Sequence, residues 1–244
     1  MVELFVREWG VGPPIVFLHG LGASSRYWGT LRNNLEPDYR GIAPDLLGFG
    51  RSPKPADSAY DIDEHLDALL PVLPPHATVV AHSAGGVIAA ALAARHPKLV
   101  TALVLIGLPA FPDTTTALRE VGRLGAMARC TVEDDWRGRA ACELMCRLRP
   151  LAVAFAPLLV RDLPAKIAAD GPRHTWASYS RTLRRVVIEH RVAPDLSAVR
   201  MPVTLIHGRG DEVAPLAHLL ALADENTHLR VHLVDGDHHV AVRA

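Results

Sequence analysis

Two textures of hydrophobic and polar positions alternate along the chain. Ile15-Val-Phe-Leu18, Gly41-Ile-Ala43, Thr78-Val-Val-Ala81 and Leu103-Val-Leu-Ile106 are short apolar runs bounded by Gly, Pro and polar residues. Runs of this length without polar alternation predict strands covered on both faces, as in a mostly parallel sheet. Between them lie helical stretches. Asp61-Ile-Asp-Glu64 resembles a capping box opening a helix that Pro71 and Pro74 close, and an Ala-rich helix from Val87 to His96 stops at Pro97. From about Ala110 to Asp195 no strand pattern appears, and Ala, Leu and Arg recur at helical spacing. Strand texture returns at Val203-Thr-Leu-Ile-His207 and Leu229-Arg-Val-His-Leu-Val234. A helical block between strands of one sheet reads as an insertion, so residues 1–109 and 196–244 are expected to form one α/β core and 110–195 a cap.

Composition narrows the function classes. The chain has 244 residues, 49% of them hydrophobic, enough for a full-sized core. Its 26 basic and 26 acidic side chains cancel, which argues against nucleic acid held by general electrostatics. The start, Met1 to Trp9, lacks a basic segment followed by an apolar signal run, and no apolar stretch reaches membrane-spanning length. The expectation is a cytoplasmic protein acting on a small molecule, with no nucleic-acid or membrane partner and with oligomeric state open. Cys130, Cys142 and Cys146 suit a reducing compartment, and neither they nor the 13 histidines form a metal-ligand pattern, so no metal is expected. The insertion carries 14 Lys and Arg against 10 Asp and Glu, out of 26 of each in the chain. Such a balance could favour a carboxylate-bearing substrate, although solvated helix surface is the commoner origin and the functional reading carries little weight.

Four segments carry chemistry, each at the end of an expected strand. Ala81-His-Ser-Ala-Gly85 runs from strand to helix in the small-x-Ser-x-Gly pattern that lifts a serine onto a strained turn. Ala81 stands where glycine is usual and adds one methyl at a tight place. His19-Gly-Leu-Gly22 follows the first apolar strand, where a loop can supply a backbone N–H for a developing oxyanion. Leu21 and Ala84, the residue after Ser83, are the two candidate donors, and His19 is expected to brace the loop. Gly208-Arg-Gly-Asp211 offers Asp211 as the carboxylate that orients a base, with Glu212 as the weaker rival. Gly236-Asp-His-His239 supplies that base from one of two adjacent histidines.

Taken together, in the chain order serine, acid, histidine, these segments resemble the α/β-hydrolase superfamily over nearly the whole chain, the cap excepted. Tyr39 to Ser52 is similar to the stretch that family carries after its fourth strand, and His19 to Trp28 resembles its small-molecule branch of esterases, carbon–carbon bond hydrolases, dehalogenases and epoxide hydrolases. The resemblance implies an eight-stranded, mostly parallel sheet, no cofactor, and a last helix beyond the histidine, where this sequence has five residues left. Dehalogenases and epoxide hydrolases of this fold use an aspartate nucleophile, and Ser83 speaks against both. Members most often place the histidine three residues after the glycine of the last turn, which selects His239 over His238. The expected catalytic set is therefore Ser83, Asp211 and His239. Trp28 is the candidate substrate contact, and Trp136, Trp176 and Tyr179 are further candidates for a pocket wall. Ester hydrolysis through an acyl-serine is the leading reading. Elimination or cyclisation by the same triad, carbon–carbon bond hydrolysis, and a silent receptor are the alternatives.

Overall fold

A computed structural model describes residues 2–160 and 163–243. Seven strands form one sheet: β1 Val6–Trp9, β2 Pro14–Leu18, β3 Arg40–Pro44, β4 Ala77–His82, β5 Val100–Ile106, β6 Val203–Gly208 and β7 Leu229–Val234. Their order is β1-β3-β2-β4-β5-β6-β7, all parallel except β1, which runs antiparallel to β3 at one edge. The eight strands implied by the resemblance are thus seven among the described residues. Residues 2–5 add no strand; Phe5 bonds Asp45 N–H and Ser52 Oγ, which fixes that segment across the loop after β3.

The helices are α1 Gly29–Leu35, α2 Ile62–Leu69, α3 Ala84–Arg95, α4 Thr114–Arg123, α5 Ala126–Val132, α6 Trp136–Arg147, α7 Arg149–Leu159, α8 Ala165–Ala168, α9 Trp176–Thr182, α10 Val192–Ala198, α11 Leu216–Glu225 and α12 Val240–Arg243, with a π turn at Leu183–Ile188. Asp61 caps α2 by accepting the Glu64 N–H, while Glu64 reaches back to the Tyr60 N–H. Alternate residues of β2 divide between two cores, which is why its sequence is apolar throughout. Val16 and Leu18 face α2, α3, α10 and α11. Ile15 and Phe17 face the other side, with Trp9, Trp28 and α12. Helices α4 to α10 all lie between β5 and β6; of these, α10 and the π turn pack on α3. None of the helices among the described residues is long and apolar enough to cross a membrane.

Candidate active site

The turn from β4 into α3 sets the first functional group. Ser83 has φ 52° and ψ −123°, a conformation that L side chains resist at a cost of roughly 1–3 kcal/mol. Neighbouring bonds hold it there: Ser83 N–H donates to Ile106 O, and its carbonyl accepts from Gly86 N–H at 2.8 Å. Gly85 allows the close strand–helix approach, since a Cβ there would lie 2.4 Å from His19 O. Ala81 is fully buried in the core beside this turn, so its extra methyl is accommodated.

Asp211 sits on the loop after β6 with its side chain out of solvent. Its Oδ1 accepts the N–H groups of Val213 and Ala214 at 2.9 and 2.8 Å, and its Oδ2 accepts from His238 Nδ1 at 2.8 Å. Burial opposes its ionisation, but the His238 bond and charge and the Ala214 N–H outweigh this and hold the carboxyl below its ordinary range. A carboxylate can only accept, so the His238 proton resides on Nδ1, and Nε2 is left as the basic nitrogen. His238 and Ser83 both line one cavity of 320 Å³.

The expected register of the last loop is therefore one residue late. His238, not His239, meets Asp211. His239 also reaches the cavity, but its Nδ1 lies 3.4 Å from the Tyr27 hydroxyl and its N–H donates to Asp237 Oδ1. Gly107 makes the Asp211–His238 contact possible. At φ 57°, a Cβ on it would stand 3.0 Å from His238 Nδ1 and 3.3 Å from Asp211 Oδ2.

A further histidine, His82, secures the same loop from beneath. Its Nε2 lies 2.8 Å from the His238 carbonyl and so donates to it, and its ring stacks on Tyr27 at 4.6 Å. Burial, then the neighbouring His238, drive its pKa well below 6.5, so it is neutral and keeps that donor proton. The signal was present in the sequence as the residue before Ser83, but only the fold shows what it holds. His19 braces its loop as expected. Its Nε2 accepts Leu46 N–H at 2.9 Å and its Nδ1 donates to Gly20 O at 2.8 Å.

Leu21 lines the cavity next to Ser83, and Ala84 opens α3 directly after it. Trp28 does not fit the substrate role. It is fully buried in the second core, packed on Phe17 at 5.4 Å, because the tight turn at Ser25–Trp28 points it inward and turns its neighbour Tyr27 to the cavity. Trp136 is 72% exposed, whereas Tyr179 does line the cavity. Among the described residues the cavity wall contains no Lys or Arg, so the basic balance of the insertion lies away from it. Asp170, between α8 and α9, joins the insertion to the core by accepting from Ser24 Oγ and pairing with Arg26 at 3.2 Å.

The sequence profile of the family described as alpha/beta hydrolase fold matches residues 13–242. The chain belongs to this family. Several of its relatives carry hydrolase names. It is 33% identical to probable lysophospholipase BODYGUARD 4 of Arabidopsis thaliana, over 86% of this chain and 56% of that protein. The chain thus spans little more than half the length of that relative. Identity is 31% with 2-hydroxymuconate semialdehyde hydrolase of a Pseudomonas species, covering 93% of this chain and 81% of the relative. It is 35% with pimeloyl-[acyl-carrier protein] methyl ester esterase of Aromatoleum aromaticum, covering 84% and 82%. Among solved structures, that of E-2-(acetamidomethylene)succinate hydrolase shares the α/β-hydrolase fold with a TM-score of 0.77 at 24% identity, covering 98% of this chain and 89% of the other.

Proposed function

We propose that this α/β-hydrolase cleaves a carboxylic ester, or a related acyl bond, of a small and partly apolar molecule through an acyl-serine intermediate. The 2.8 Å bond that buried Asp211 makes to His238, which lines one cavity with the strained Ser83, carries the reading. Ser83 Oγ attacks the carbonyl carbon while His238 Nε2 takes its proton. The new bond joins Oγ to the acyl carbon. The carbon–oxygen bond to the alcohol then breaks, and His238 returns the proton to the departing alkoxide. Water, deprotonated by the same nitrogen, releases the acid and restores the serine. Asp211 keeps His238 in the required tautomer, and the Leu21 and Ala84 N–H groups stabilise the oxyanion. His82, through the His238 carbonyl, positions the loop. The insertion at 110–195 acts as a cap that closes over the cavity and selects the substrate.

Two relatives with ester-cleaving names favour this reading, and the semialdehyde hydrolase keeps a second one open, in which the same serine attacks an aldehyde or ketone carbonyl and a carbon–carbon bond breaks. The first test is labelling with a fluorophosphonate, followed by intact mass and peptide mapping. One adduct per chain, on Ser83, is expected, together with turnover of chromogenic esters. Absence of an adduct while a control serine hydrolase reacts would refute the serine nucleophile. Turnover of vinylogous diketones with inert esters would favour the second reading.

A further inference from the structure

Behind the catalytic cavity lies a second one of 430 Å³, walled by Cys142, Met145, Ala152, Phe155, Ala156 and Leu159 of α6 and α7. The two are neighbours through a common wall, because Gly22, Val160, Ala168, Gly171 and Tyr179 line both. Gly22 and Tyr179 pack together in this wall, where a Cβ on Gly22 would sit 3.7 Å from the Tyr179 ring. The outer end meets solvent at Phe155 and Leu159, which are 55% and 82% exposed. No Lys, Arg, Asp or Glu lines this second cavity among the described residues. Its two titratable side chains besides Tyr179 are neutral. Burial pushes the Cys142 thiol up to about 12, and burial pushes His174 down to about 4. His174 Nδ1 is moreover engaged with Gly171 O at 2.7 Å.

Two apolar chambers on either side of one wall, the second open to solvent at its far end, suit an extended apolar group better than a compact polar molecule. We infer that the second cavity is the binding site for an unbranched alkyl chain of the ester, which runs from Ser83 past Tyr179 and emerges between α6 and α7. This deepens the hydrolase reading above and rests on it for the position of the scissile bond. The chain's ligand chemistry is the same whether it belongs to the acyl or the alcohol half, and the two halves are separated by experiment. Exposed Leu151, Leu158 and Leu159 around the mouth extend the same apolar surface outward, so a chain longer than the cavity still lies on it.

The experiment compares two ester series on the wild-type protein, acyl chains of increasing length on one chromogenic alcohol and alkyl acetates of increasing length. In one series kcat/KM should rise about fourfold per methylene until the second cavity is filled. Ala152→Trp fills that cavity away from the reacting groups. It should remove the rise and leave the shortest ester within about twofold of wild type. Met145→Trp serves as the second filling variant should Ala152→Trp not fold. In parallel, calorimetry on Ser83→Ala measures the affinity for the same esters without turnover. Affinity that grows with chain length and is lost in the filled variant supports the alkyl site even if no ester is hydrolysed, in which case only the hydrolase reading fails. Turnover with a flat length profile in both series, or a profile unchanged by both filling variants, overturns the alkyl site and leaves the hydrolase reading standing.

Discussion

At the carboxyl ends of the strands the functional side chains are held by bonded neighbours. Asp211 is fixed by two N–H groups, His238 by Asp211, and the loop carrying His238 by His82. The helices inserted between β5 and β6 are built on another plan. Trp136, Leu158 and Leu159 there are 72%, 63% and 82% exposed, and the ion pairs of α4 and α6, such as Arg119–Glu120 and Arg139–Glu143, lie at the surface, where such pairs add little stability. The first region has one workable arrangement. The second is a set of amphipathic helices tied to the core by few buried polar bonds, the Asp170 anchor and the His65–Thr182 bond among them. On the proposed reading, chemistry and selectivity therefore sit in parts of the molecule with different tolerance for change.

The largest expected effect belongs to the rigid region. His238→Ala should lower kcat/KM on the order of 10³-fold, because triad members act as a unit, whereas His239→Ala should cost less than about tenfold. Steady-state kinetics on both variants, each shown folded by circular dichroism, decides it. The opposite ranking would move the base one residue along the loop and break the link between the Asp211 bond and catalysis.

Acid titration probes both regions at once. His65, buried against Thr182, and His174, in the insertion, are each driven down to about 4, in both cases first by burial. Between pH 6.5 and 4 the unfolded chain binds protons that the folded one refuses. Stability is thus complete above about pH 6.5 and falls as pH drops toward 4, by up to about 3 kcal/mol for each histidine. Chemical denaturation at several pH values should show His65→Gln and His174→Gln each flattening part of that slope. An unchanged slope in both would mean that these rings are hydrated in solution.

Asp170→Ala removes the carboxylate that ties the insertion to Ser24 and Arg26 and should destabilise the protein by about 2 kcal/mol. Hydrogen exchange should quicken in α6 to α9 and stay unchanged in β4. Equal quickening in both would erase the distinction between the regions. The smallest effect is expected at the exposed face of α7, where Leu158→Ala should change stability by less than about 0.5 kcal/mol, against about 2–5 kcal/mol for the fully buried Leu18→Ala. A large loss at Leu158 would show that this face is covered in solution.

Most of the sheet was legible in the chain. Five of the strands coincide with apolar runs between turn residues, because burial on both faces leaves little room for polar alternation, and β7 shows the alternation of a strand with one exposed face. The antiparallel edge strand β1 was missed, since Val-Arg-Glu-Trp has one covered face and too little length to show a period. Ser83, Asp211 and the two loops were visible because each needs a glycine or a small residue at a strand end. The choice between His238 and His239 was not. It depends on how residues 235–239 turn against Gly107 and His82, and those contacts lie more than a hundred residues away in sequence. Trp28 failed as a substrate contact for a related reason: an aromatic residue near a catalytic loop looks the same in sequence whether it faces the cavity or the core. The second cavity was beyond reach, because only helix packing brings α6, α7 and Tyr179 around one space.

The bond from His82 to the His238 carbonyl joins residues 156 positions apart. At translation rates of about 5–20 residues per second, the partner of the nucleophile strand is made on the order of ten seconds after that strand. During that interval Ser83 has neither base nor fixed loop beside it. On the proposed mechanism the nascent chain is thus silent toward acyl compounds until β7 docks and brings His238 into the cavity of Ser83.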